Sequence, residues 1–127
     1  AEAARLGAEN ISSKDIAAMR KLWGKLKQAV ESGDYIKALK IDAEYLLILY
    51  NSCGNKVLVD QILSLWDRVQ PYKVLWAKAS LKLGLFSWKN KPKILEAAEN
   101  NDGNLASQLT IEILTNAVDF MEKLFDE

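Results

Sequence analysis

Nucleophilic and metal chemistry draw on a short set of side chains, and this 127-residue chain lacks most of it. It has no histidine, which removes Ser-His and Cys-His nucleophilic pairs and every His-ligated metal centre. Its single cysteine, Cys53, excludes an internal disulfide and any structural zinc site built from several thiolates, and is expected to behave as a small buried hydrophobe. Carboxylates such as Glu44, Glu96 and Glu112 could act as acid and base. No spacing singles out a pair, however, and helix surfaces are generally rich in glutamate. Neither catalytic residues nor a cofactor are expected, and the chain reads as no enzyme. What remains is binding chemistry. Four tryptophans (Trp23, Trp66, Trp76, Trp88) and four tyrosines supply large apolar surfaces with polar tips. Aromatics at helical spacing are ordinarily core, Trp23 most clearly. Trp66, Trp76 and Trp88 flank a stretch around Pro71 and Gly84 where regular packing is least secure.

Charge narrows the partners. Lys plus Arg equals Asp plus Glu at 17 each, so no face is expected to hold nucleic acid by bulk electrostatics, which needs clustered cations. The basic residues of the second predicted helix (Lys14, Arg20, Lys21, Lys25, Lys27) wrap round an apolar stripe as a solvated face, and no recognition helix follows a short turn. The longest wholly apolar run, Tyr45 to Tyr50, is far too short to cross a bilayer, and no signal segment opens the chain. A cytoplasmic location is the expectation.

The elements that must position these groups are helices. Six Gly and two Pro leave few interruptions, and apolar residues recur at three and four positions. A first helix spans Ala1 to Glu9. Ser12-Ser13-Lys14-Asp15 is a start signal for a second, whose stripe is Ile16, Met19, Trp23, Leu26 and Val30. Gly33 suits a left-handed helix end, and Asp34 caps a third helix running to about Cys53 with Ile36, Leu39, Ala43, Leu46 and Tyr50 on one face. That helix is apolar nearly all round in its second half and is expected to lie at the centre. After Gly54-Asn55 a fourth helix carries Leu58, Ile62, Leu65, Trp66 and Val69 until Pro71 kinks or ends it. Pro92 suits the first turn of a short helix to Glu99. A turn at Asn100 to Asn104 precedes a long last helix with Leu105, Leu109, Ile113, Val118, Met121 and Phe125 inward. The whole predicts one domain over residues 1–127, an all-α antiparallel bundle of six to seven helices.

Two segments look alike: Glu31-Ser32-Gly33-Asp34 followed by Ala38, and Glu99-Asn100-Asn101-Asp102 followed by Ala106. Their aspartates lie 68 positions apart, twice the tetratricopeptide period of roughly 34. With Gly33-Asp34-Tyr35-Ile36-Lys37-Ala38-Leu39, this leaves a tetratricopeptide-like protein-interaction module as the alternative. Nothing similar occurs halfway, around Arg68, so shared cap chemistry at two helix joints is the simpler account.

The order of these pieces resembles the FCD domain, the C-terminal effector-binding and dimerisation domain of GntR-type transcription regulators. Glu2-Ala3-Ala4-Arg5-Leu6 is similar to the start of that domain's first helix. Ser13-Lys14-Asp15-Ile16 and the run to Gly33-Asp34 follow its second helix and turn. Most specific is Asp42-Ala43-Glu44-Tyr45 followed by Cys53-Gly54-Asn55, where family members carry Asp, an aromatic and His, then Gly-Asn at the same distance. Ile94-Leu95-Glu96-Ala97-Ala98 resembles the segment before its last helix.

The resemblance implies a small-molecule effector in the bundle interior, a homodimer, and DNA contact only through a winged helix placed N-terminal to this domain and expected to lie outside this chain. Many family members hold a divalent metal there with one Asp and three His. Carried over, the Asp is Asp42, while the histidine positions fall at Leu46, Lys91 and, within about one residue, Ile113. With one ligand of four retained, no metal is expected. Lys91 could supply the missing positive charge through an Asp42–Lys91 ion pair if Asp42 is enclosed; solvation of both is the alternative. The resemblance places Asp42, Tyr45, Leu46, Trp66, Trp88, Lys91 and Ile113 around a ligand, more apolar in character than a metal-chelating carboxylate.

Overall fold

The computed structural model describes residues 1–83 and 90–126. Among them are six helices and no strand: α1 (Glu2–Asn10), α2 (Ser13–Glu31), α3 (Tyr35–Asn51), α4 (Lys56–Leu83), α5 (Asn90–Glu99) and α6 (Gly103–Asp126). Four of the starts are made by one short polar side chain accepting from the backbone N–H three positions on. Ser12 Oγ accepts from Asp15 at 3.1 Å, Asp34 Oδ1 from Lys37 at 3.1 Å, Asn55 Oδ1 from Leu58 at 3.1 Å and Asp102 Oδ1 from Leu105 at 3.0 Å. The start signals expected at Ser12 and Asp34 are therefore present, and the turn at Asn55 has the same chemistry.

The two look-alike segments are the same joint built twice. At the first, Gly33 has φ +76°, its N–H bonds Val30 O, and the N–H of Asp34 reaches back to Ala29 O. At the second, Asn101 has φ +51°, its N–H bonds Ala98 O, and the N–H of Asp102 reaches back to Ala97 O. Each is a left-handed helix stop whose last residue caps the next helix. Asn101 tolerates the left-handed conformation at some cost, and its side chain also donates to Ala8 O of α1 at 2.9 Å. Asn101→Ala is expected to cost about 1–2 kcal/mol, combining the lost bond with left-handed strain. Asn101→Gly, which keeps the conformation without strain, should cost less. Equal midpoints for the two variants in urea unfolding would contradict this account.

The chain does not form an open stack. α1 packs against α3, α5 and α6; α2 packs against α3 and α5; α3 meets α4, and α6 meets α4 and α5. The first helix touching the last two closes the bundle, whereas solenoid repeats contact only their neighbours. The tetratricopeptide alternative fails on this point. Small residues permit the closure: Ala3, Ala4, Gly7 and Ala8 of α1, Ala97 and Ala98 of α5 and Ala106 of α6 are all buried. They join Tyr45, Leu46, Leu49, Tyr50, Ile94 and Leu109 in one apolar core. Leu26, Ala29, Ala38 and Ile41 form a second, smaller cluster between α2 and α3. Trp23 packs half-buried against both.

Three expectations need correction. Ile36 is 63% exposed although Ala38 in the same turn is fully buried, so it lies off the packed face; the inward face is Ala38, Leu39, Ile41, Tyr45, Leu46, Leu49 and Tyr50. Leu65 is half-exposed; the α4 residues in the core are Val59, which is buried, and Leu58, Ile62 and Trp66 packed against it. Of the kink or end expected at Pro71, the end does not occur: α4 continues to Leu83 and forgoes one backbone hydrogen bond at the proline. The side-chain positions of Val69, Trp76, Val118, Met121 and Phe125 fall outside the described residues, as do Gly84 and Trp88 entirely. Among the described residues, no helix is long and apolar enough to cross a membrane.

Candidate functional site

α3 and the start of α5 together make the one charged interior feature among the described residues. Asp42 lies on the inward side of α3, and its side chain is only 15% exposed. Lys91, the second residue of α5, is 6% exposed, and its Nζ lies 3.1 Å from Asp42 Oδ1. Of the two readings of Asp42 and Lys91, the ion pair is the one formed, and the solvated one is not. The ammonium approaches off the angle a hydrogen bond requires, so the buried Oδ1 is balanced by charge and takes no hydrogen bond. One turn along α3, the Tyr45 hydroxyl donates to the backbone carbonyl of Lys91. Lys91 is thus held at two points by the same helix, main chain and side chain separately.

The tyrosines around this pair are themselves perturbed. Burial, reinforced by the negative charge of Asp42, pushes the hydroxyls of both Tyr45 and Tyr50 well above the ordinary tyrosine range. A hydroxyl contact from Thr110 of α6 acts in the opposite direction at Tyr50. Because the folded-state values are raised, this contribution is complete below the unfolded value near 10 and is lost as pH rises above it. Stability should fall above about pH 10 by up to about 1.4 kcal/mol per pH unit for each tyrosine. Urea midpoints measured upward from mildly alkaline pH test this. Tyr50→Phe should flatten the decline relative to the parent chain, and parallel slopes would refute the assignment.

The remaining sequence-predicted residues divide as follows. Leu46 is buried in the main core, and Ile113 of α6 packs partly buried against the same core. Trp66 of α4 meets Tyr50 of α3 with ring centroids 5.9 Å apart and planes at 54°, a tilted aromatic pair. Trp88 lies outside the described residues. Lys91 is therefore in direct contact with both Asp42 and Tyr45, while Leu46, Ile113 and Trp66 belong to the apolar core. Sequence reasoning missed Tyr50 and Thr110. Tyr50 was legible in principle, since it lies two helical turns beyond Asp42 and one beyond Leu46 on the same face.

The metal implied by the resemblance does not fit these residues. Leu46 and Ile113 offer no lone pair, and Lys91 presents a cation where a ligand would be needed. A divalent ion on Asp42 would sit about 2 Å from its oxygen. The Lys91 ammonium already lies 3.1 Å from Asp42 Oδ1, so the ion would meet like-charge repulsion there. Among the described residues, no group of three or more His, Cys, Asp or Glu side chains is placed to hold a metal ion.

Comparison with known proteins gives a consistent picture. Residues 1–116 match the FCD domain. The chain is 32% identical over 69 residues to the HTH-type transcriptional regulator McbR of Escherichia coli (strain K12), an alignment covering 54% of this chain and 31% of that protein. The chain thus aligns with about a third of the length of this curated relative. No solved structure matches significantly.

Proposed function

The chain belongs to the FCD domain family, and from that membership we propose that it is the ligand-sensing and dimerisation domain of a GntR-type transcription regulator. The observation that carries the reading is the charged pair Asp42–Lys91, tied to α3 through Tyr45, inside a closed helical bundle. Burying two charges is costly and adds little to stability over an apolar pair of similar size, so an interior pair with adjacent aromatics has the make-up of a site. In this reading a small organic effector binds there without a His-ligated metal, against Asp42, Tyr45, Leu46, Lys91 and Ile113, with Trp66 at its apolar margin. It shifts the bundle between two arrangements and so changes the relation between two DNA-binding domains. Those winged helices would belong to the same regulator outside residues 1–127, which form one domain. The regulator acts as a homodimer in the cytoplasm, contacts DNA only through the winged helices, and neither catalyses a reaction nor inserts in a membrane.

Two measurements test this. Light scattering during gel filtration should show a dimer, and a monomer at every concentration would contradict the dimerisation half. A thermal-shift screen of small organic acids, alcohols and aromatic metabolites should find compounds that raise the melting midpoint, since a ligand specific for the folded state stabilises it. The rise should shrink when Lys91→Met or Tyr45→Phe is introduced. Full retention of the rise in both variants would place the ligand elsewhere.

A further inference from the structure

We infer that the Lys91 ammonium is a built-in replacement for a divalent cation at Asp42, so that the interior of this domain is charge-balanced without metal and excludes ligands that bind through a bridging one. The inference takes the bundle interior as the sensing site, as proposed above, and assigns the residue that sets its ligand chemistry.

Three observations converge on Lys91. First, Oδ1 of the Asp42 carboxylate is buried and takes no hydrogen bond, and the cation that faces it is the Lys91 ammonium at 3.1 Å. A lysine ammonium is a compact point charge, and here it acts as one, compensating the carboxylate without hydrogen-bond alignment. Second, the ammonium is not the wandering tip of a surface side chain. Its stem is buried, and the Lys91 carbonyl is tied to α3 by the Tyr45 hydroxyl. The same helix therefore fixes both the acid and the base of the pair. Third, the neighbouring position one turn from Asp42, which would carry a second metal donor, is the buried hydrocarbon of Leu46. A protonated amine has no lone pair to give a metal, and it repels one. A lysine at this position thus offers no metal donor and itself supplies the positive charge opposite Asp42.

The experiment uses chelator-treated chain exposed to Zn²⁺ and Ni²⁺, then gel-filtered and assayed for retained metal and for its melting midpoint. The parent chain should retain no stoichiometric metal and show no shift. The variant Leu46→His/Lys91→His/Ile113→His, with Asp42 kept, should retain one equivalent of metal and melt several degrees higher when loaded. Adding Asp42→Ala to that variant should abolish both effects. Two results would overturn the inference. One is a parent chain that retains one equivalent of metal and loses it on Asp42→Asn. The other is a folded triple variant that retains none. The parent-chain arm decides even if the triple variant does not fold. Failure of the ligand screen above would remove the sensing proposal while leaving the metal result standing, so the two can fail separately.

Discussion

Lys91→Met is expected to destabilise the domain by about 3–5 kcal/mol, the range for leaving one partner of a buried ion pair uncompensated. Methionine fills much of the space of the lysine stem, and the Tyr45 bond is made to the main chain, so packing and that bond survive. What disappears is the positive charge opposite a carboxylate that is only 15% exposed. The loss should read as a lower urea midpoint at unchanged denaturant dependence. Asp42→Leu combined with Lys91→Met should recover most of it, because an apolar pair of similar volume is often as stable as the ions. A loss below about 1 kcal/mol for Lys91→Met would mean that the pair behaves as a solvent-exposed one.

Gly7→Ala is the second large effect. Helix propensity argues for stabilisation, since glycine inside a helix costs about 0.5–1 kcal/mol relative to alanine. Sterics reverse the sign. A Cβ at position 7 would stand 2.0 Å from the backbone oxygen of Leu49 and 3.3 Å from its side chain. Main chain cannot rotate aside, so α1 would have to lift from α3, with a loss of about 3 kcal/mol or more. Gly24, within α2, is the internal control. Nothing lies within 4 Å of its added Cβ, and Gly24→Ala should stabilise by about 0.4–1 kcal/mol. Thermal or urea unfolding of both variants checks the pair, and shifts of the same sign would refute the argument from close approach.

Much of this architecture was legible residue by residue. Ser12, Asp34 and the Gly33 stop announced their helix ends, and the repeated joint at Asn100 to Asn104 was readable as cap chemistry. The charged pair was legible only through the resemblance, because neither Asp42 nor Lys91 stands out by type or local spacing. Without the family's pattern of one Asp and three other positions, Lys91 would pass as an exposed residue beside Pro92. Ile36 and Leu65 misled for the reverse reason: periodicity assigns a face to every helical residue, but burial requires a neighbour packed against that residue itself.

The amino-acid order alone therefore determined the all-helical character, the stops at Gly33 and Asn100 to Asn104, and the lack of histidine. Each depends on side chains a few positions apart or on composition, and capping bonds span only three residues. Tertiary structure alone decided that α1 closes on α5 and α6, that Pro71 lies within a helix, and that Tyr45 and Lys91 meet across 46 positions. Those outcomes depend on how helices pack, where a contact is selected by burial and shape summed over the whole bundle and not by any local rule.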